Sequence, residues 1–231
     1  MRSSKWHALG NVYLLVERAD LTPEEVRATV GGADGIVQVV AANRDSADVV
    51  IWNPDGSTAE MSGNGTRIAA RWLADRTGAP VVRIRTGERE TVARMLDDGD
   101  VEQELGSVLV GPPEHVEGVA LVTVSVGNPH AVVRGDPAEI TQLGPLLERH
   151  ERFPDRTNVQ VVHVDRPGEV TARVWERGVG ETSASGTSAV AVAAATHQDG
   201  DEVLVHFPGG DLRVRLADGR AWLTGPAERL E

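Results

Sequence analysis

One segment in the second half of the chain, TSAVAVAAAT at residues 187–196, carries no charge and is apolar on nearly every side. A helix with this pattern has no face to present to water, so it must be buried, and we expect a sheet to wrap around it. The segment predicts a helix that begins near Thr187 and stops at Gly200. In the first half, TRIAARWLADRTG predicts a companion helix from Thr66 to Gly78.

Most of the other segments are short, rich in Val, Ile and Leu, and separated by turn residues, which is typical of strands. They read NVYLLVE, GIVQVV, ADVVIWN, VVRIRT, ALVTVSV, VQVVHV, VTARVWE, VLVHF, LRVRL and AWLTG. Two more helices are predicted, one at Thr22–Val30 with a Thr cap followed by Pro, and one at Asp136–His150 that breaks around Gly144 and Pro145.

This arrangement predicts an α+β fold of two similarly built lobes, each a β-sheet wrapped around a central helix, with an active-site cleft between them. We place the N-terminal lobe at residues 1–112 and the C-terminal lobe at 113–231, with the C-terminal end of the chain packing back onto the first lobe. A chain of 231 residues is long enough for two such cores.

Composition excludes several classes of function. The net charge of −12 argues against a nucleic-acid partner, which would require a basic face. No apolar run is long enough for a membrane span, and no targeting segment is recognisable, so we expect a cytoplasmic protein that does not bind membranes. The chain has no cysteine, which excludes disulfides, thiolate metal sites and thiol nucleophiles. The seven histidines lack metal-binding spacings, so we expect no metal.

Each long apolar helix follows a loop with serine at its centre: EMSGNGTR at residues 60–67 and ETSASGTS at residues 181–188. A helix start offers free N–H groups and the positive end of the helix dipole, and both attract a carboxylate or phosphate. Taken alone, each loop is equally compatible with a glycine-rich turn that carries a helix cap. Neither loop matches a nucleotide-binding P-loop or a hydrolase nucleophile elbow.

The motifs taken together closely resemble the diaminopimelate epimerase family. They occur in the family's order: KWHALGN, GGADGI, NPDGSTAEMSGNGTR, SVGNPHAVV, LGPLLERHERFPDRTNVQ and RVWERGVGETSASGTSA, although the middle section around residues 86–118 looks shortened. The resemblance implies the two-lobed fold shared with proline racemases. It also implies a cytoplasmic, homodimeric isomerase that converts LL- into meso-diaminopimelate, for lysine and peptidoglycan biosynthesis, without a cofactor.

The resemblance also implies roles for individual residues. Ser62 and Ser185 match the two catalytic positions that remove and return the α-proton on opposite faces of an amino-acid substrate. His130 and Glu176 match positions that tune the pKa of the catalytic groups, and His130 alone is as compatible with a structural role. The positions that match substrate-binding residues are Asn11, Asn53, Gly63, Asn64, Asn128, Asn158, Glu176, Arg177, Gly186 and Thr187.

Serine is a departure from the family, which has cysteine at both catalytic positions. A hydroxyl is a much weaker acid than a thiol, so two unassisted serines predict a slow epimerase. Three interpretations follow from this. The cysteines of an epimerase were replaced deliberately, or the chain is a natural serine-containing paralogue that catalyses another isomerisation, an elimination or a cyclisation. The third interpretation is a non-catalytic binding protein that retains the pocket.

Overall fold

The computed structural model describes residues 2–59 and 62–230. The four α-helices are α1 (Pro23–Thr29), α2 (Gly63–Thr77), α3 (Ile140–Glu148) and α4 (Gly186–Thr196), and a single 3-10 turn covers Pro137–Glu139. The strands that precede residue 108 are β1 (Arg2–Ala8), β2 (Asn11–Glu17), β3 (Gly35–Ala42), β4 (Ser46–Trp52), β5 (Val81–Thr86), β6 (Arg89–Met95) and β7 (Val101–Ser107).

The remaining strands are β8 (Leu109–Val116), β9 (Val119–Ser125), β10 (Pro129–Arg134), β11 (Asn158–Arg166), β12 (Glu169–Glu176), β13 (Gly180–Thr182), β14 (Glu202–Phe207), β15 (Gly210–Ala217), β16 (Arg220–Gly225) and β17 (Glu228–Arg229). Strands and helices thus form a mixed α+β fold, as predicted. Two compact units can be distinguished, Met1–Glu104 together with Thr224–Glu231, and Leu105–Leu223. The division into domains after residue 112 stays a prediction, because compactness does not show independent folding.

Helix α2 is the centre of the first unit. It packs against strands β1 to β6, and its residues Ile68, Ala69 and Leu73 are fully buried in one core with strand residues such as Ile51 and Ile84. In this sheet β2 and β3 are parallel, whereas β3 and β4 are antiparallel. The start of β2, the start of β3 and the end of β4 therefore lie at one edge of the sheet.

The first unit also contains a late segment of the chain. Strand β17 pairs with β1, with Trp6 opposite Arg229, and the N–H of Leu230 donates to the carbonyl of Lys5. The guanidinium of Arg67 on α2 donates from Nε to the carbonyl of Pro226 at 2.9 Å. Residues 226–230 are therefore held by hydrogen bonds to both a strand and the central helix of this unit.

Helix α4 is the centre of the second unit, and it packs against β9, β10, β11, β14 and β15. All residues from Gly186 to Ala193 are buried. The side chains of this helix are mostly Ala, Val and Ser, whose small volume lets strands approach the helix on several sides. The prediction that a sheet wraps around an all-apolar helix is confirmed.

Both central helices begin earlier than predicted. Helix α2 starts at Gly63 rather than Thr66, because Ser62 is its N-cap and the Oγ atom accepts the N–H of Gly65 at 3.0 Å. Helix α4 starts at Gly186 and ends at Thr196, four residues before Gly200. The sequence pattern located the apolar body of each helix but not its first, glycine-containing turn.

The predicted break at Gly144 and Pro145 is wrong, because α3 continues through both residues to Glu148. Proline removes one helical hydrogen bond and crowds the preceding turn. The burial of Ile140 and Leu147 offsets that cost. Gly144 is required for packing rather than for a break: a Cβ atom at this position would lie 2.6 Å from the indole of Trp175.

Candidate active site

Ser62 stands at the edge of the first sheet where β2 and β3 begin. Its Oγ atom accepts the N–H of Gly65 and lies 3.3 Å from the hydroxyl oxygen of Tyr13 on β2. A Cβ atom on Gly65 would lie 2.7 Å from Ile51 and 3.3 Å from Ser62 Oγ, so glycine is what lets the helix start pack this closely. Glu60 and Met61, the first two residues of the predicted loop, lie outside the described residues.

The first turn of α2 is fixed by a buried glutamine that sequence reasoning missed. Gln103 on β7 donates from Nε2 to the carbonyl of Gly63 at 2.7 Å, and its Oε1 accepts the hydroxyl of Thr66 at 2.9 Å. Because Gln103 is fully buried, these two bonds form away from water and hold the turn rigidly. The predicted residue Gly63 is therefore in a defined backbone conformation.

Arg67 is the second residue that sequence reasoning missed in this half. It is fully buried, and its Nη2 donates to Asn64 Oδ1 at 2.9 Å, which orients the amide of Asn64. Burial lowers the pKa of Arg67 to about 10, against the opposing charges of Asp100 and Tyr13. The guanidinium therefore stays charged at neutral pH, and its Nη1 makes no hydrogen bond within the described part of the chain.

Two other predicted asparagines lie at the same edge of the sheet. Asn11 is the first residue of β2, and its Nδ2 contacts the carbonyl of Leu9 at 3.5 Å. Asn53 follows β4 directly, and its Nδ2 donates to Ser57 Oγ at 2.9 Å within a tight turn. Topology thus brings Asn11, Asn53 and Ser62 to one edge, although the Asn53 amide is partly occupied by its own loop.

Ser185 is the N-cap residue of α4, but its side chain makes no capping hydrogen bond. It is 6% exposed. The following residues of the first turn, Gly186 and Thr187, are buried as well. A helix start whose N–H groups are not capped by a side chain retains the capacity to bind an anion. Ser185 therefore differs from Ser62, whose Oγ is already engaged by Gly65 and Tyr13.

His130 lies at the centre of a buried hydrogen-bond chain in the second unit. The Nε2 of Gln160 donates to His130 Nδ1 at 3.0 Å and to Ser188 Oγ at 3.0 Å. Because an amide nitrogen only donates, His130 Nδ1 accepts, and the proton resides on Nε2, which donates to Asn128 Oδ1 at 2.9 Å. Asn128 then donates to Thr187 Oγ1 at 3.4 Å.

The electrostatics of this chain keep His130 neutral. Burial, together with the nearby positive charge of Arg177, lowers the pKa of His130 to about 3. Within the described residues, its two ring nitrogens bond Gln160 and Asn128. A role of His130 in tuning a serine stays a prediction.

The neutral His130 predicts a specific loss of stability in acid. Its pKa is depressed in the folded state, so its contribution is fully present above the unfolded value near 6.5 and is lost as pH falls toward about 3. Within that window we expect up to about 1.4 kcal/mol lost per pH unit from this residue. Urea unfolding at pH 7.5, 5.5 and 4.5 measures it. H130Q is the matched control: the same pH slope in both proteins would contradict the prediction.

Asn158 and Arg177 extend the chain of contacts. Asn158 donates from Nδ2 to the carbonyl of Pro129 at 2.8 Å, and its Oδ1 accepts the N–H of Arg177 at 3.0 Å. The guanidinium of Arg177 donates to the carbonyl of Asp155 at 3.2 Å and forms no ion pair with any described carboxylate. Hydrogen bonds join the predicted residues of the second unit in two groups, Asn128 with His130 and Thr187, and Asn158 with Arg177.

The loop that carries Glu176 and Arg177 is held by Glu148, another residue that sequence reasoning missed. Glu148 is 2% exposed, and it accepts Trp175 Nε1 at 2.9 Å and the N–H of Gly178 at 2.8 Å. Burial alone would raise the pKa of Glu148, but these two bonds and nearby arginines hold it below its usual range. Glu176 itself accepts the hydroxyl of Thr182 at 2.6 Å.

Neither a metal nor a membrane-spanning element can be assigned to the described residues. They contain no group of three or more His, Asp or Glu side chains arranged to hold a metal ion. None of the helices has the length and hydropathy needed to cross a membrane. The groups at the two helix starts are hydroxyls, amides and backbone N–H groups, and the second unit also contains the guanidinium of Arg177.

Comparison with known proteins gives a consistent result. The family profile described as "Diaminopimelate epimerase" matches residues 3–116 and 122–230. The chain is 38% identical to the diaminopimelate epimerase of Alkalilimnicola ehrlichii over 267 aligned positions, which cover 99% of this chain and 96% of that protein. It is 39% identical to the diaminopimelate epimerase of Halorhodospira halophila, with 98% and 92% coverage.

Solved structures share the fold at low sequence identity. A predicted epimerase from Pseudomonas aeruginosa superposes with a TM-score of 0.80 at 17% identity, and the match covers 100% of this chain and 97% of that one. A hydroxyproline epimerase from Agrobacterium vitis gives a TM-score of 0.69 at 17% identity, with 98% and 88% coverage.

Proposed function

The chain belongs to the diaminopimelate epimerase family, a family of isomerases, and we propose that it inverts the α-carbon of an amino acid without a cofactor. The proposed substrate is diaminopimelate, converted from the LL to the meso form. A place in lysine biosynthesis, action in the cytoplasm and assembly as a homodimer belong to the same proposal.

One observation supports an amino-acid substrate most directly. The guanidinium of Arg177 carries a positive charge without a carboxylate partner among the described residues. The backbone N–H of Arg177 is held by a hydrogen bond to Asn158 Oδ1. A substrate α-carboxylate would supply the missing negative charge, and a guanidinium binds a carboxylate through two parallel hydrogen bonds. The amide of the buried Asn158 is already oriented beside the backbone of Arg177, because it bonds both the carbonyl of Pro129 and the N–H of Arg177.

In this proposal the two helix starts supply the proton-transfer groups. Ser62 and Ser185 each occupy the N-cap of the central helix in their own unit, where the helix dipole favours developing negative charge. One hydroxyl would remove the α-proton and the other would return a proton to the opposite face. The backbone at Gly63 and Gly186, with Asn11, Asn53, Asn64, Glu176 and Thr187, would bind the substrate.

Proton exchange in D₂O tests this function. The protein is incubated with LL-diaminopimelate, and with other amino acids in parallel, and the α-proton signal is followed by NMR. Exchange accompanied by inversion is expected. The S62A/S185A variant is the control, because it keeps both helices and removes both hydroxyls.

The same assay distinguishes the two alternative functions. Exchange, elimination or cyclisation without inversion would identify a serine-containing paralogue with a different reaction. Binding with neither exchange nor inversion would identify a binding protein, for which the capping bond between Ser62 and Gly65 already gives the first serine a structural role. Either result would overturn the proposed epimerisation.

A further inference from the structure

The side chain of Tyr13 reaches the hydroxyl of Ser62 from a neighbouring strand, β2. The phenolic oxygen lies 3.3 Å from Ser62 Oγ, and either atom can be the donor. Ser62 Oγ already accepts the N–H of Gly65, which leaves its own proton available for Tyr13. Tyr13 is the only tyrosine in the 231 residues.

The position of Tyr13 is defined by its neighbours in the sheet. It lies opposite Gly35 in the parallel register of β2 and β3. A Cβ atom on Gly35 would lie 2.7 Å from Tyr13 Cε1 and 2.6 Å from the carbonyl of Trp52. Glycine at this position therefore makes room for the phenol ring beside the strand, and the ring in turn reaches the start of α2.

A buried positive charge lies close to the same phenol. Arg67 is fully buried, and two acidic groups favour its protonated form, Asp100 first and Tyr13 second. Electrostatic interaction is mutual, so the guanidinium favours a negative charge on the Tyr13 oxygen. Among the described residues, the hydrogen-bond partners of Arg67 are neutral groups, the carbonyl of Pro226 and the amide of Asn64.

We propose that Tyr13 is the base of the Ser62 half-site and that Ser62 relays the proton between the substrate and the phenolate. This inference rests on the proposed function. In the rest of the family one thiolate removes the α-proton; here Ser62 Oγ and the phenolic oxygen of Tyr13 would do so together.

The step balances without a further reactant. The substrate Cα–H bond breaks as its proton passes to Ser62 Oγ, and the original Oγ–H bond breaks as its proton passes to the Tyr13 phenolate. The products are a substrate carbanion, a neutral serine and a neutral phenol. The phenol then loses its proton to water before the next turnover.

A phenolate is a far more accessible base than a serine alkoxide. The ordinary pKa of a tyrosine is about 10 and that of a cysteine about 8.5, so at neutral pH the phenolate is only about 30-fold less populated than the thiolate. A serine hydroxyl ionises several units higher. The pair can therefore act as a base where a lone serine would not.

Ultraviolet titration tests the proposal without any substrate. Because the chain has a single tyrosine, the phenolate absorbance near 295 nm reports Tyr13 alone, and Y13F supplies the baseline. We expect an apparent pKa below the ordinary value of about 10. A midpoint at or above 10 would overturn the proposal.

Deuterium exchange tests the relay itself. The S185A variant is used throughout, so that only the Ser62 face exchanges, and the probe is a mixture of diaminopimelate stereoisomers. Adding Y13F should slow exchange by about 100-fold, which is typical of losing a general base. In S62C/S185A the thiol carries its own charge, so Y13F should slow exchange less than 3-fold. Equal losses in both backgrounds would show a merely structural tyrosine and overturn the relay.

The two experiments separate this inference from the proposed function. A wild-type protein that exchanges no amino-acid proton overturns the proposed function. The titration still decides the state of Tyr13 in that case: a midpoint below 10 supports the activated phenol, and one at or above 10 overturns it. If wild type and Y13F exchange the α-proton at equal rates, the proposed function stands and the relay is overturned.

Discussion

The S62C/S185C variant is expected to epimerise LL-diaminopimelate about 10⁴-fold faster than the serine protein. A hydroxyl whose pKa lies about 4 units above that of a thiol requires about 5 kcal/mol more to ionise. A helix start contributes about 0.3–1 kcal/mol at an exposed site and up to ~2 kcal/mol when partly buried, so it does not close that gap. The measurement is kcat by NMR or by a coupled assay for the meso product.

The two single variants are the controls for this prediction. Ser62 has Tyr13 beside it, whereas the side chain of Ser185 makes no capping hydrogen bond to α4. We therefore expect S185C to recover more of the rate than S62C. A folded double variant with no activity on diaminopimelate would show that the chain differs from the family by more than its two serines.

The R177M variant is expected to raise the KM for an amino-acid substrate by about 10²- to 10³-fold. Methionine keeps the length of the side chain and removes the guanidinium. The lost charge-assisted hydrogen bonds correspond to about 3–4 kcal/mol of binding free energy. The backbone N–H of residue 177 still reaches Asn158 Oδ1, so the loop should keep its conformation.

R152M is the matched control for R177M. Arg152 lies in the same unit and already pairs with the carboxylate of Glu114 through two hydrogen bonds. Its replacement should leave KM within about 2-fold of wild type, because exposed ion pairs contribute little. Equal effects of R177M and R152M on KM would argue against a carboxylate at Arg177.

The parts of the fold that sequence predicts well are those whose pattern is local. Thr22 and Pro23 predict the start of helix α1, and the structure confirms the Thr cap and adds a capping box between Thr22 and Glu25. The turn at Asp218 and Gly219 joins β15 and β16 with both φ angles positive, at +52° and +67°, as an Asp-Gly pair predicts. The central helices were found because their apolar runs are long.

The features that sequence reasoning missed depend on distant partners. Strand β7 reads VEQELGS, and its alternation becomes meaningful only once Gln103 is seen to reach the first turn of α2. Gln160 interrupts the apolar strand β11, and this buried polar residue was a signal that could have led to His130. Nothing near Arg67 in the sequence indicates that its partner is the carbonyl of Pro226.

The candidate site was predicted on a different basis. Its residues come from a resemblance between motifs, and the structure shows five of them in the second unit hydrogen-bonded in two groups, one around Asn128 and His130 and one formed by Asn158 and Arg177. The relation between Tyr13 and Ser62 was not predictable, because 49 residues separate them and the pattern of β2 is that of an ordinary strand.

The return of residues 226–230 to the first unit has a consequence for biosynthesis. During translation, residues 105–223 emerge from the ribosome before the strand that pairs with β1 and before the carbonyl that accepts Arg67. Domains commonly fold in the order of their synthesis. Here the N-terminal unit is synthesised first and completed last, and until then β1 lacks its partner strand β17 and Arg67 lacks the carbonyl of Pro226.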